Sequence, residues 1–173
     1  LKAARQLGYE TLLLTEETGD EQLRSIIDTG MVDGVALMDV TMNDPRIELA
    51  QLSSIPLISI GHPMNEINVP CIDTDFIEMG EMIMQTLCRN GHSRILFAGG
   101  KEIDYERNGG ANYLIRLRTS MHDAAARYKI HIDEEFTDED DFDAAENLLE
   151  RFISSENTAI VTQGGPLFLN TLV

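Results

Sequence analysis

Residues 76–100, FIEMGEMIMQTLCRNGHSRILFAGG, decide the fold class. The first fourteen place Phe76, Met79, Ile83 and Leu87 at helical spacing, with Glu78, Glu81, Gln85 and Arg89 on the remaining surface, so an amphipathic helix is predicted. Asn90-Gly91 stops that helix, as a C-terminal glycine does. Ile95-Leu96-Phe97-Ala98 is then apolar without alternation, as a parallel strand covered on both faces requires.

The same grammar repeats outward in both directions. Thr11-Leu12-Leu13-Leu14, Val35-Ala36-Leu37-Met38, Ile55 to Ile60 and Ala159-Ile160-Val161 read as further strands. Leu114, Leu117, Met121, Ala125 and Tyr128 form a second helical stripe, and Ala145, Leu148, Leu149 and Phe152 a third. Gly8 closes a helix through Ala4-Leu7, and Asp44-Pro45 fits an N-cap followed by proline in the first turn. Repeated βαβ units of this kind predict an α/β protein with open, doubly wound parallel sheets. The Gly99-Gly100 turn suggests a lobe boundary, giving 1–99 as one lobe and 100–173 as the other. Residue 1 falls inside a helix that leads into a strand, and Pro166 to Val173 start another helix. A first strand before Leu1 and a fuller second lobe are therefore expected outside this sequence.

Composition narrows the functions. Of 173 residues, 43% are apolar and 25% charged, a globular balance, and no apolar run approaches a bilayer span. Net charge is −17, and ten acids between Asp133 and Glu150 have no Lys or Arg among them. Direct nucleic-acid contact needs clustered cations and is not expected of these residues. Cys71 and Cys88 match neither metal nor redox spacing, and His62, His92, His122 and His131 are not spaced as metal ligands. Asp138 to Asp143 lacks the central glycine and terminal glutamate of a calcium loop and reads as a solvated cap for the helix after it. No phosphate-cradling glycine motif, nucleophile with its base, cofactor motif or metal set is present, so a binding protein and not an enzyme is expected.

In open α/β sheets, ligands sit in the crevice beyond the carboxyl ends of the strands. Met38, Asp39, Gly61, His62, Cys71, Asp73, Gly164 and Gly165 lie at or near such ends and are the candidate pocket residues. Arg116 and Arg118 start the second striped helix. Either guanidinium could grip a polar ligand bidentately or pair with surface carboxylates.

Several phrases, in order, resemble the effector-binding region of the LacI/GalR family of bacterial transcriptional regulators. They are Leu7-Gly8-Tyr9-Glu10-Thr11-Leu12-Leu13, Met31 to Leu37 with its Val-Asp-Gly, Ile55 to Gly61, Val69 to Phe76, Asn90-Gly91-His92-Ser93-Arg94-Ile95 and Thr158-Ala159-Ile160-Val161. The resemblance implies a type I periplasmic-binding-protein-like fold of two lobes, the second incomplete here, with a small polar, sugar-like effector between them. It further implies a cytoplasmic homodimeric repressor, with no membrane partner, that binds operator DNA through a helix-turn-helix head outside this sequence. A receptor for an extracytoplasmic sugar transporter is the alternative. Met38-Asp39, Gly61-His62 and Cys71 fall where the family lines its cleft, and the family arginine falls near Arg116 or Arg118, although the usual arginine–glycine–aromatic phrase is absent. Gly164-Gly165 stands where the family carries Asn-Asp, leaving only backbone groups to meet a ligand.

Overall fold

The computed structural model describes residues 2–15, 19–63, 69–106, 110–137 and 142–163. Elements follow in the order α1 (Lys2–Gln6), α2 (Gly19–Thr29), β1 (Val35–Leu37), α3 (Pro45–Leu52), β2 (Leu57–Ile60), β3 (Cys71–Ile72), α4 (Phe76–Arg89), β4 (Arg94–Gly99), a 3-10 turn at Glu102–Tyr105, α5 (Asn112–Tyr128), β5 (His131–Phe136), α6 (Phe142–Ile153) and β6 (Ile160–Gln163). They build two parallel sheets, ordered β1-β2-β3 and β5-β4-β6.

The stretch that opened the sequence reading folds as its pattern demands. Asp75 caps α4 by accepting the Glu78 N–H at 2.9 Å, and Gly91 takes φ +85° to end it. β4 is then covered on both faces. Ile95 and Phe97 pack with Met84 of α4 and Leu114, Leu117, Met121, Ala124 and Ala125 of α5. Leu96 and Ala98 point the other way, onto Ala145 and Leu148 of α6. α4 and α5 approach until a Cβ at Gly80 would lie 2.6 Å from Ser120 Oγ, which donates to the Ile77 carbonyl at 2.6 Å. The first sheet has its own smaller core of Leu23, Leu37, Val40 and Ile47.

One expectation needs correction, and the structure adds three features. Thr11–Leu14 is not a strand. Leu12 and Leu13 are exposed, and among the described residues no backbone pairs with this segment, which a strand requires. β5 was hidden in the acidic block, because His-Ile-Asp-Glu-Glu-Phe carries charges that suit a strand lying at the sheet edge among the described residues. Cys71 opens the two-residue strand β3, paired in register with Ser59 and one residue from its carboxyl end. Finally, β4 is the middle strand of the second sheet with α4 packed on it, so the change of sheet falls between Ile72 and Phe76, ahead of the Gly99-Gly100 turn.

Candidate functional site in the crevice between the sheets

All described strand pairs are parallel, so each sheet presents its carboxyl ends at one edge. Past β1 come Met38 and Asp39, past β2 Gly61 and His62, and past β3 Asp73. From the second sheet the N-terminus of α5 comes to meet them. Thr41 bridges to Ala111, and the Met42 N–H donates to the Gly110 carbonyl at 3.4 Å.

Arg116 makes the densest set of contacts across this gap. Its Nη2 donates to the His62 carbonyl at 3.0 Å and the Pro63 carbonyl at 3.3 Å, and lies 3.2 Å from His62 Nδ1. That ring nitrogen also lies 2.7 Å from the Pro63 carbonyl. It can accept from Arg116 or donate to Pro63, but not both, so the imidazole tautomer sets how firmly the arginine is held. His62 is anchored in turn, its backbone N–H donating to Asp73 Oδ2 at 2.8 Å while Asp73 Oδ1 accepts from the Thr74 N–H.

Gly61 and Asn112 form the point of closest approach. Gly61 has φ +117°, and a Cβ there would sit 3.2 Å from both Asn112 Nδ2 and Val40 Cβ. Asn112 is only 2% exposed. Its Oδ1 and the Nε of Arg116, one helical turn further on, are both buried with no hydrogen-bond partner. Each such group forgoes its hydration without replacement, a cost of about 1–3 kcal/mol.

The Met38-Asp39 corner is held from beneath. Arg46 binds Asp44 through Nε at 2.9 Å and Nη2 at 2.6 Å, and the same Nη2 donates to the carbonyls of Met38 at 3.2 Å and Asp39 at 3.1 Å. Asp44 also caps α3, accepting from the Arg46 N–H. This hydrogen bonding with Asp44 raises the Arg46 pKa further. Asp39 itself adopts φ +52°, a left-handed conformation that a β-branched residue would resist.

Arg118 does not join the cluster. It pairs bidentately with Glu134 of β5 at 2.7 and 2.6 Å and lies over the rings of Tyr105 and Phe136. The pairing with Arg118, followed by that with His122, holds the Glu134 carboxyl below its usual range. At the same end of the second sheet, buried Tyr105 donates to Gln163 at 3.1 Å, and burial pushes its hydroxyl up to about 12. Cys71 donates to the Val69 carbonyl, and burial pushes its thiol up. Gly164 and Gly165 lie outside the described residues, as does most of the Asp138–Asp143 run. The structure thus brings together Met38, Asp39, Gly61, His62, Asp73 and Arg116. It adds Arg46 and Asn112, which sequence reasoning passed over. The spacing Asp44-Pro45-Arg46 was a usable signal for the first. Asn112 carried none, since nothing local marks a helix-opening asparagine as facing another sheet. Among the described residues no three His, Cys, Asp or Glu side chains could hold a metal ion, and no helix is long and apolar enough to cross a membrane.

Comparisons with known proteins agree with this architecture. The family described as periplasmic binding proteins and sugar binding domain of LacI family matches residues 1–165. The chain is 25% identical over 122 residues to the HTH-type transcriptional regulator MalR of Staphylococcus xylosus, covering 67% of this chain and 36% of that protein. It is 29% identical over 104 residues to the HTH-type transcriptional regulator CelR of Thermobifida fusca, covering 58% of this chain and 31% of that one. The chain therefore spans about a third of the length of these relatives. Among solved structures, a LacI family transcriptional regulator from Bifidobacterium animalis superposes with TM-score 0.82 at 19% identity, over 98% of this chain and 62% of that one. The Cra transcriptional dual regulator of Pseudomonas putida, solved in complex with fructose 1-phosphate, gives 0.70 at 14% identity, over 99% and 64%. With two parallel sheets meeting at their carboxyl ends and a family match across nearly its whole length, the chain belongs to the family of periplasmic binding proteins and LacI-type sugar-binding domains.

Proposed function

We propose that this chain is the effector-binding module of a LacI-type transcriptional regulator. A small polar, sugar-like molecule enters the crevice, and Met38, Asp39, Gly61, His62, Asp73 and Arg116 form its walls. The observation that carries this reading is the Arg116–His62–Asp73 chain of hydrogen bonds, which joins the two sheets where a ligand would lie. An effector that alters this junction alters how the sheets sit relative to each other, and coupling of that kind is typically ~1–3 kcal/mol between distant sites. In the same reading the protein acts as a cytoplasmic homodimeric repressor, its operator bound by a helix-turn-helix head not contained in these residues. The regulators among its relatives favour this over a transporter-linked receptor.

Calorimetry on the intact protein tests the site. Arg116→Ala removes a charged hydrogen-bonding group and should weaken effector binding about ten- to hundred-fold. Arg118→Ala should leave it within about twofold, since that guanidinium is committed to Glu134. Equal losses in both variants, or none in either, would remove Arg116 from the site. Operator binding that is steeply salt-dependent and shifts with effector supports the regulatory output, and its absence refutes it.

A further inference from the structure

We infer that the crevice selects an uncharged, hydroxyl-rich ligand and discriminates against phosphorylated or otherwise anionic counterparts. The inference rests on the effector-binding reading above and concerns the chemistry of the same site.

It begins with where the cations go. Arg46 and Arg116 stand at the crevice and Arg118 lies outside it, and each donates to an internal acceptor. Arg46 is spent on Asp44 and on the carbonyls of Met38 and Asp39. Arg116 turns its Nη2 to the carbonyls of His62 and Pro63. Arg118 is held bidentately by Glu134. Lys101, just past β4, also has a partner. A phosphate monoester is bound in proteins by forked guanidinium pairs or ammonium groups free to turn toward it. Among the described residues Arg46 and Arg118 are fully engaged, Lys101 is not without a partner, and Arg116, with its Nη2 committed, keeps an unpaired Nε but not a free Nε–Nη2 fork.

What the crevice does offer is acceptors. The carboxylates of Asp39 and Asp73 are exposed at the ends of β1 and β3. Each Asp73 oxygen accepts one backbone N–H and keeps a further lone pair. Asn112 Oδ1 is an acceptor without a donor, nine-tenths buried and one helical turn from the orphaned donor Arg116 Nε. A hydroxyl both donates and accepts, so a hydroxyl-rich ligand can satisfy both kinds of group. A phosphate dianion only accepts, and it would face two carboxylates. As the sheets now stand, Gly61 and Val40 close over Asn112, so drawing the N-terminus of α5 back from them is what exposes this pair to a ligand.

The N-terminus of α5 pulls in the opposite direction, because its uncapped amides favour an anion. That turn, however, abuts the other sheet through the Thr41–Ala111 bridge and the Met42–Gly110 hydrogen bond. Its field is met there by backbone and not by an open anion site.

The test is titration calorimetry on the intact protein with glucose, maltose, glucose 6-phosphate, fructose 1-phosphate and inorganic phosphate. A neutral sugar should bind at least about tenfold more tightly than any phosphate-bearing probe, from the repulsion of a dianion by carboxylates at short range. The gap should narrow as ionic strength rises. It should also narrow in the Asp39→Asn/Asp73→Asn double variant, which keeps the acceptor oxygens and removes the charge. Should that variant fail to fold, the salt dependence of the unmodified protein still decides. If a phosphorylated sugar binds as tightly as a neutral one, the discrimination is overturned while the effector-binding reading stands. If no sugar of either kind binds, both are overturned.

Discussion

At the scale of single residues, local chemistry sets roles that the neighbours then use. Asp75 is the N-cap of α4, so Asp75→Ala should cost about 1 kcal/mol of stability in urea unfolding, with an unchanged m-value. Glu134 shows how a residue acquires a role from its surroundings. Arg118 and His122 depress its pKa, so the folded state holds its proton less tightly than the unfolded chain does. The associated stability is fully present above the unfolded value of ~4.3 and is lost as pH falls through the lower folded value. Glu134→Gln should therefore reduce stability at neutral pH and flatten the acid limb of a stability–pH profile. An unchanged acid limb would mean that the pairing contributes nothing.

Between elements, the decisive contact is α4 against α5. Gly80 permits it, because a methyl group there would meet Ser120 Oγ at 2.6 Å and the Met121 backbone nitrogen at 2.9 Å. Helix propensity favours alanine over glycine by ~1 kcal/mol, yet here the steric term dominates. Gly80→Ala should lower stability by about 1–3 kcal/mol, and a rise in Tm would show that the helices can part freely. On the far side of α5, β5 shows why an acidic stretch can still be a strand. Its register with β4 runs from Arg94↔His131 to Gly99↔Phe136, and its charges find Arg94, Arg118 and Asn157 as partners. The backbone ladder and these pairs outweigh the low β-propensity of Asp and Glu.

For the molecule as a whole, Gly61 governs how closely the two sheets meet. Gly61→Ala faces both a left-handed φ and a 3.2 Å contact with Asn112 and Val40. Small-angle scattering should show a more open particle, and effector affinity should change with it. An unchanged radius of gyration with unchanged affinity would show that the contact is not the closure point. The alternation of strands and helices, the cap at Asp44 and the stops at Gly8 and Gly91 were all determined by the sequence, because hydrophobic period and cap chemistry act within a few residues. Met38, Asp39, Gly61 and His62 were legible for the same reason, since they stand at the ends of strands that the pattern locates, whereas Asp73 follows a two-residue strand that the pattern did not mark. Only the tertiary structure decided that Arg116 and not Arg118 crosses to His62, that Asn112 is buried against Gly61, that β4 belongs to the second sheet, and that Thr11–Leu14 stays unpaired among the described residues. Strand pairing and cross-sheet hydrogen bonds join residues dozens of positions apart, and a local pattern carries no record of which distant partner completes them.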